Sequence, residues 1–93
     1  MHKLKPGKEY PFVRVINGQV EITMVSNEPG VGYSYLVIEN NAAIISECMD
    51  DSECEKCLSD DGFVYFQEAI RNGLLPSDWE LPDIQNGFAR VRL

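Results

Sequence analysis

Between residues 10 and 47, apolar and polar positions trace two successive strand pairs. Tyr10 to Ile16 is rich in aromatic and β-branched residues, which suit a pleated, half-buried surface. Pro11 has no amide hydrogen to give to a ladder, so it places the start of this strand at an edge. Asn17-Gly18 follows, and both residues tolerate the positive φ that a two-residue hairpin turn requires. Gln19 to Val25 then alternates, with Val20, Ile22 and Met24 on one side and Glu21 and Thr23 on the other. That period of two predicts a hairpin with one face in the core and one in water. Residues 27–32, Asn-Glu-Pro-Gly-Val-Gly, are a loop. They lack the Gly-rich phosphate-loop pattern and precede no predicted helix, so they connect two hairpins.

Tyr33 to Glu39 and Ala42 to Glu47 are the third and fourth strands, turning at Asn40-Asn41. Leu36-Val37-Ile38 and Ala43-Ile44-Ile45 are unbroken apolar runs, which predicts strands buried on both faces or central in the sheet. The period then becomes helical. Ser52 and Glu55 have the spacing of a capping box, predicting a short helix from about Glu53 to Leu58. Ser59-Asp60-Asp61-Gly62 interrupts it and offers N-caps for a second helix, roughly Gly62 to Asn72. On that helix Phe63, Phe66 and Ile70 recur at i, i+3 and i+7 beside Ala69, a core-facing stripe. Gly73 suits the C′ position, with Leu74 as its hydrophobic contact. Residues 75–82 form an extended connection from which Trp79 folds back over the core. After the Asn86-Gly87 turn, Phe88 to Leu93 closes the chain, with Ala89, Val91 and Leu93 facing in and Arg90 and Arg92 facing out.

The order ββββ-α-α-β predicts one α+β domain over residues 1–93. An antiparallel sheet of about five strands carries one short and one longer helix. The strand spacing also allows a small, partly open barrel of the OB-like or SH3-like kind. No apolar run approaches the roughly 18 residues of a membrane span. The basic start, MHKLKPGKEY, leads into no apolar stretch of the signal-peptide kind. With three cysteines, an odd number for a secreted disulfide framework, a cytoplasmic setting is expected.

Charge changes the picture most between Glu47 and Asp61. Those fifteen residues hold seven of the fifteen acids, one lysine and all three cysteines, in a chain of formal charge −7. Direct nucleic-acid binding is not expected, because phosphate contacts need clustered Lys and Arg. Lys3, Lys5, Lys8 and Arg14 lie near one end of the chain and Arg90 and Arg92 near the other; they would form one modest basic patch only if the ends met.

Cys54-x-x-Cys57 has zinc-knuckle spacing, and Cys48 adds a third thiolate, with His2, Asp50, Asp51 or Asp60 as a fourth ligand. Against zinc, only one such pair is present, and Cys54, Cys57 and Leu58 also share an ordinary helical stripe. A thiol-redox pair at Cys54 and Cys57 meets an electrostatic objection, since Glu47, Asp50, Asp51, Glu53 and Glu55 disfavour a thiolate. An EF-hand counted from Asp50 puts Glu55 where glycine belongs. His2 is the only histidine, which argues against Ser-His-Asp and Cys-His catalysis and points to a non-enzymatic protein.

What remains is recognition. A concentrated acidic surface steers basic partners, or imitates the phosphates that a nucleic-acid-binding protein expects. Asp50, Asp51, Glu53, Glu55, Asp60 and Asp61 are the candidate contacts with a basic protein, and Trp79 is the candidate aromatic anchor. Tyr33, Tyr35 and Tyr65 could share that role, against burial in the core.

Overall fold

The Asn17-Gly18 turn nucleates the centre of the molecule. Asn17 takes φ 52° and Gly18 φ 77°, as the tight hairpin demands. The computed structural model describes residues 5, 7–28, 30, 32–39, 42–48, 51–84 and 88–93, with the backbone alone at 38–39, 42–43, 45–48, 51–55 and 88. Around the turn, β1 (Glu9–Ile16) pairs antiparallel with β2 (Gln19–Glu28) along its whole length. Next come β3 (Gly32–Glu39), β4 (Ala42–Cys48), α1 (Asp51–Asp60), the two-residue β5 (Val64–Tyr65), α2 (Phe66–Arg71) and β6 (Phe88–Arg92). This is an α+β fold with an open antiparallel sheet, not a barrel. Its main path runs β4-β3-β2-β1-β5, with β6 also paired to β2.

The edge of β2 away from β1 is shared. Its first half, Gln19 to Thr23, pairs with β6, and its last residues, Ser26 to Glu28, pair with the start of β3. Thr23 stands at the fork, fully buried and in register with Phe12 of β1 and Phe88 of β6. Its hydroxyl oxygen accepts from the Leu36 amide of β3 at 3.2 Å. Beyond the fork, the β3–β4 hairpin lies at the side of the sheet rather than in its centre. Val37 is 2% exposed but Ile44 of β4 is 44% exposed, so the apolar runs there do not mark central strands.

Residues opposite one another on paired strands share a face. Val13, Val15, Val20 and Ile22 therefore lie on one side of the hairpin, and Tyr10, Phe12, Arg14, Glu21, Thr23 and Val25 on the other. Neither side is wet. The first packs with Ala69 and Leu75, against Phe66, Ile70, Trp79, Leu81, Ile84 and Val91. The second packs with Tyr33, Tyr35, Val37, Leu58 and Phe63. Glu21 and Thr23, expected to face water, are 8% and 0% exposed: Arg14 of β1 pairs with Glu21, and the Leu36 backbone of β3 meets Thr23.

The helices also depart from expectation, in length and in what they carry. The first is the longer, ten residues beginning before Ser52, so Ser52 is a helical residue and not the N-cap. It ends at Gly62, φ 85°, in a Schellman motif. The Phe63 amide donates to the Leu58 carbonyl at 2.8 Å, the Gly62 amide donates to Ser59 at 3.0 Å, and Leu58 and Phe63 pack together. Gly62 thus closes one helix instead of opening the next. The chain then extends so that Val64 and Tyr65 pair with Val13 and Phe12 at the outer edge of β1, leaving six residues for α2. Phe63 and Phe66 do not share a stripe: they sit in cores on opposite faces of the sheet. α2 ends in the same motif, with Gly73 at φ 77° and the Leu74 amide donating to Ala69. There Leu74 is 43% exposed and Leu75, at 3%, provides the buried contact. Leu93, expected inward, is 56% exposed just past the end of β6.

The two basic ends do not meet. Glu9 lies opposite Ser26, and Arg92 lies opposite Gln19, so they flank opposite ends of β2. The seven residue steps from Gln19 to Ser26 span about 24 Å. Lys3 is outside the described residues, and Arg14 and Arg90 instead flank Glu21 from the two neighbouring strands.

Candidate partner-binding surface

β4 brings the acidic segment to the side of the sheet, and α1 carries most of it. Cys48 is the last residue of β4 and sits opposite Tyr33 in the register. Asp51, Glu53, Cys54 and Glu55 belong to α1, where the description stops at the backbone; Asp50, like His2, lies outside the described residues. The described side chains show how the helix is seated. Leu58 is 1% exposed, Cys57 is half-buried against the same cluster, and Lys56, Ser59 and Asp60 are exposed. Cys57 carries a free thiol, and among the described residues no group of three His, Cys, Asp or Glu is gathered around a common point.

Asp61 is tied into the fold. Its Oδ2 accepts from the Tyr35 hydroxyl at 2.9 Å, and its backbone carbonyl accepts from Arg14 Nη1 at 2.8 Å. Arg14 in turn donates through Nε to Glu21 Oε2 at 2.8 Å, with Nη2 at 2.7 Å from the same oxygen. Its guanidinium carbon lies 4.6 Å from the centre of the Phe63 ring, a cation–π distance. One arginine thereby clamps the end of α1 to the first hairpin. Among the described residues every buried polar side-chain atom has a hydrogen-bond partner.

Tyr33 and Tyr35 are 7% and 2% exposed, so burial, not anchoring, is their state. Tyr65 is half-buried with its ring edge-on to Phe12, centroids 5.4 Å apart. Trp79 is half-buried on the opposite side of the sheet, 5.7 Å from the Phe66 ring, where it covers the aliphatic core. The turn holding it is closed by its amide donating to the Pro76 carbonyl at 3.0 Å. The structure thus brings Asp60 and Asp61 together at the end of α1 and sets Trp79 on the other face.

Sequence reasoning did not anticipate a cleft at that helix end. About 220 Å³ in volume, it is lined by Phe12, Leu58, Ser59, Phe63, Val64, Tyr65 and Glu68. It exists because the Schellman turn folds Phe63 back under Leu58 and β5 then runs along the edge of β1. Gly62 followed by an aromatic residue was the available signal. No protein-family model, no curated protein and no solved structure matches this chain.

Proposed function

We propose that this chain is a small, non-enzymatic interaction module that binds a basic protein through the acidic segment Glu47–Asp61. Such a module acts as an inhibitor or as a mimic of nucleic-acid phosphates. The observation that carries this is the concentration of seven acids in fifteen residues on and around α1, a helix with no basic residue in its last turn. Leu58 and the Arg14 clamp hold the helix in one position, so few degrees of freedom are lost on docking. A cytoplasmic setting belongs to this proposal, on the odd cysteine count.

The test is capture of a basic polypeptide. Reversing charge at Asp50, Asp51, Glu53 and Glu55 is expected to leave the circular dichroism spectrum folded and to abolish binding of an Arg- and Lys-rich peptide. Binding by the parent chain is expected to weaken steeply between low and physiological salt. Undiminished capture by the folded variant would overturn the proposal.

A further inference from the structure

We infer that the outer edge of β4 takes up an extended segment of the basic partner, antiparallel to β4 and hydrogen-bonded to it as a further strand of the sheet. This rests on the acidic-face proposal above and names the form in which the partner docks. β4 is one end of the sheet path and, among the described residues, pairs with β3 alone. The direction of its remaining backbone groups follows from Thr23. The Leu36 amide donates to the Thr23 hydroxyl oxygen on β2, so the Leu36 backbone groups point away from β4. In an antiparallel pair, a residue that turns its N–H and C=O away from its neighbour stands opposite one that does the same. Leu36 is in register with Ile45, so Ile45 directs its N–H and C=O outward, and Ala43 and Glu47 follow at a spacing of two. Among the described residues no other backbone group bonds to this edge.

The other margins of the sheet are protected against strand addition, and β4 is not. β5 has two residues, β1 next to it contains Pro11, and β6 has arginine at two of its five positions. Short length, proline and charged side chains are the ordinary ways of blunting an edge. β4 has seven residues with neither proline nor a basic side chain. Nor does α1 close this margin. Ile44 is in register with Val37 and so shares the face on which Leu58 packs, yet it is 44% exposed. One end of β4 is therefore apolar, at Ala42 to Ile45, while the other runs through Glu47 into the acidic segment.

This polarity fixes the chemistry of the incoming strand. Every strand pair among the described residues is antiparallel, the slightly more stable arrangement. An antiparallel segment carries its Lys and Arg at its N-terminal end, beside Glu47 and the acids that follow, and β-branched residues at its C-terminal end, beside Ile44. The ladder supplies affinity, and alternate side chains supply specificity. A second copy of the chain is disfavoured as occupant, because it brings another formal charge of −7 against the same acidic segment.

The experiment titrates the full chain with the end-blocked peptide Lys-Arg-Lys-Arg-Thr-Val-Thr-Val-Thr, with the same residues in reverse order, and with a form N-methylated at the Thr and Val amides. All three have equal charge. The first is expected to bind about tenfold tighter than either of the others, because only it combines the charge match with a complete ladder. Ala43→Pro removes an outward amide that makes no bond to β3, and is expected to lower affinity for the first peptide by a similar factor while its circular dichroism stays that of the parent. The N-methylated peptide gives the same test with the chain untouched. Equal affinity for the N-methylated peptide, or for the reversed one, overturns the strand inference and leaves the acidic-face proposal standing. A dimer of the chain alone in sedimentation, dissociated by Ala43→Pro, places a second copy on the edge and overturns it as well. Failure of all three peptides to bind overturns both the strand and the acidic face.

Discussion

The two faces of the sheet bury comparable lengths of chain with different material. Under α2 the core is aliphatic, built from Val13, Val20, Ile22, Ala69 and Leu75 and covered by the extended residues that carry Trp79 and Leu81. Under α1 it is aromatic, and it encloses Arg14, Glu21, Thr23 and part of Asp61 among Phe12, Tyr35 and Phe63. The first face gains stability from close packing and has no polar obligation. The second must satisfy every polar group it encloses, because an unpaired buried group costs about 1–3 kcal/mol. That obligation ties α1 to a defined position on the hairpin. The aliphatic face is the one to expect stability from, and the aromatic face is the one to expect recognition from.

Substitutions on both faces probe this contrast by chemical denaturation. Ile22→Ala, at 0% exposure in the aliphatic core, should cost about 4 kcal/mol, while Leu58→Ala should cost about 3 because its cavity opens toward the cleft. Equal losses would show that the cleft does not relieve the cavity. Glu21→Leu should cost about 3 kcal/mol by leaving Arg14 enclosed without its carboxylate, and adding Arg14→Met should recover most of that loss. A double variant less stable than the single one would mean that Arg14 contributes more through the Asp61 carbonyl and the Phe63 ring than its unpaired charge costs. Gly62→Ala and Gly73→Ala should each cost about 1 kcal/mol, since both positions have positive φ and no close neighbour to clash with an added methyl.

The elements made by local chemistry were legible in the sequence. Asn17-Gly18 specified the first turn and its register, Ala42 to Cys48 returned along β3, and Phe88 to Arg92 formed the final strand. What stayed hidden depended on residues far apart in the chain. Glu21 alternates with apolar neighbours and so looked solvated; its burial requires Arg14 across the hairpin and a helix end 40 residues later. Phe63 and Phe66 have helical spacing, but two residues of strand between them, too short to show any period, send them to opposite faces. The acidic concentration was visible from composition. The cleft beside it was not, because Phe12, Leu58, Ser59, residues 63–65 and Glu68 meet there only once β5 has paired with β1.

The fork in β2 has a consequence for the time course of synthesis. The aromatic core draws on residues 10–65 alone, so it can consolidate while the rest of the chain is still being made. The aliphatic core also needs Val91, and the stretch of β2 from Gln19 to Thr23 keeps an open edge until β6 arrives. Until β6 is made, that edge is a row of unpaired amides and carbonyls open to another strand, and translation pauses shortly before β6 would prolong its exposure.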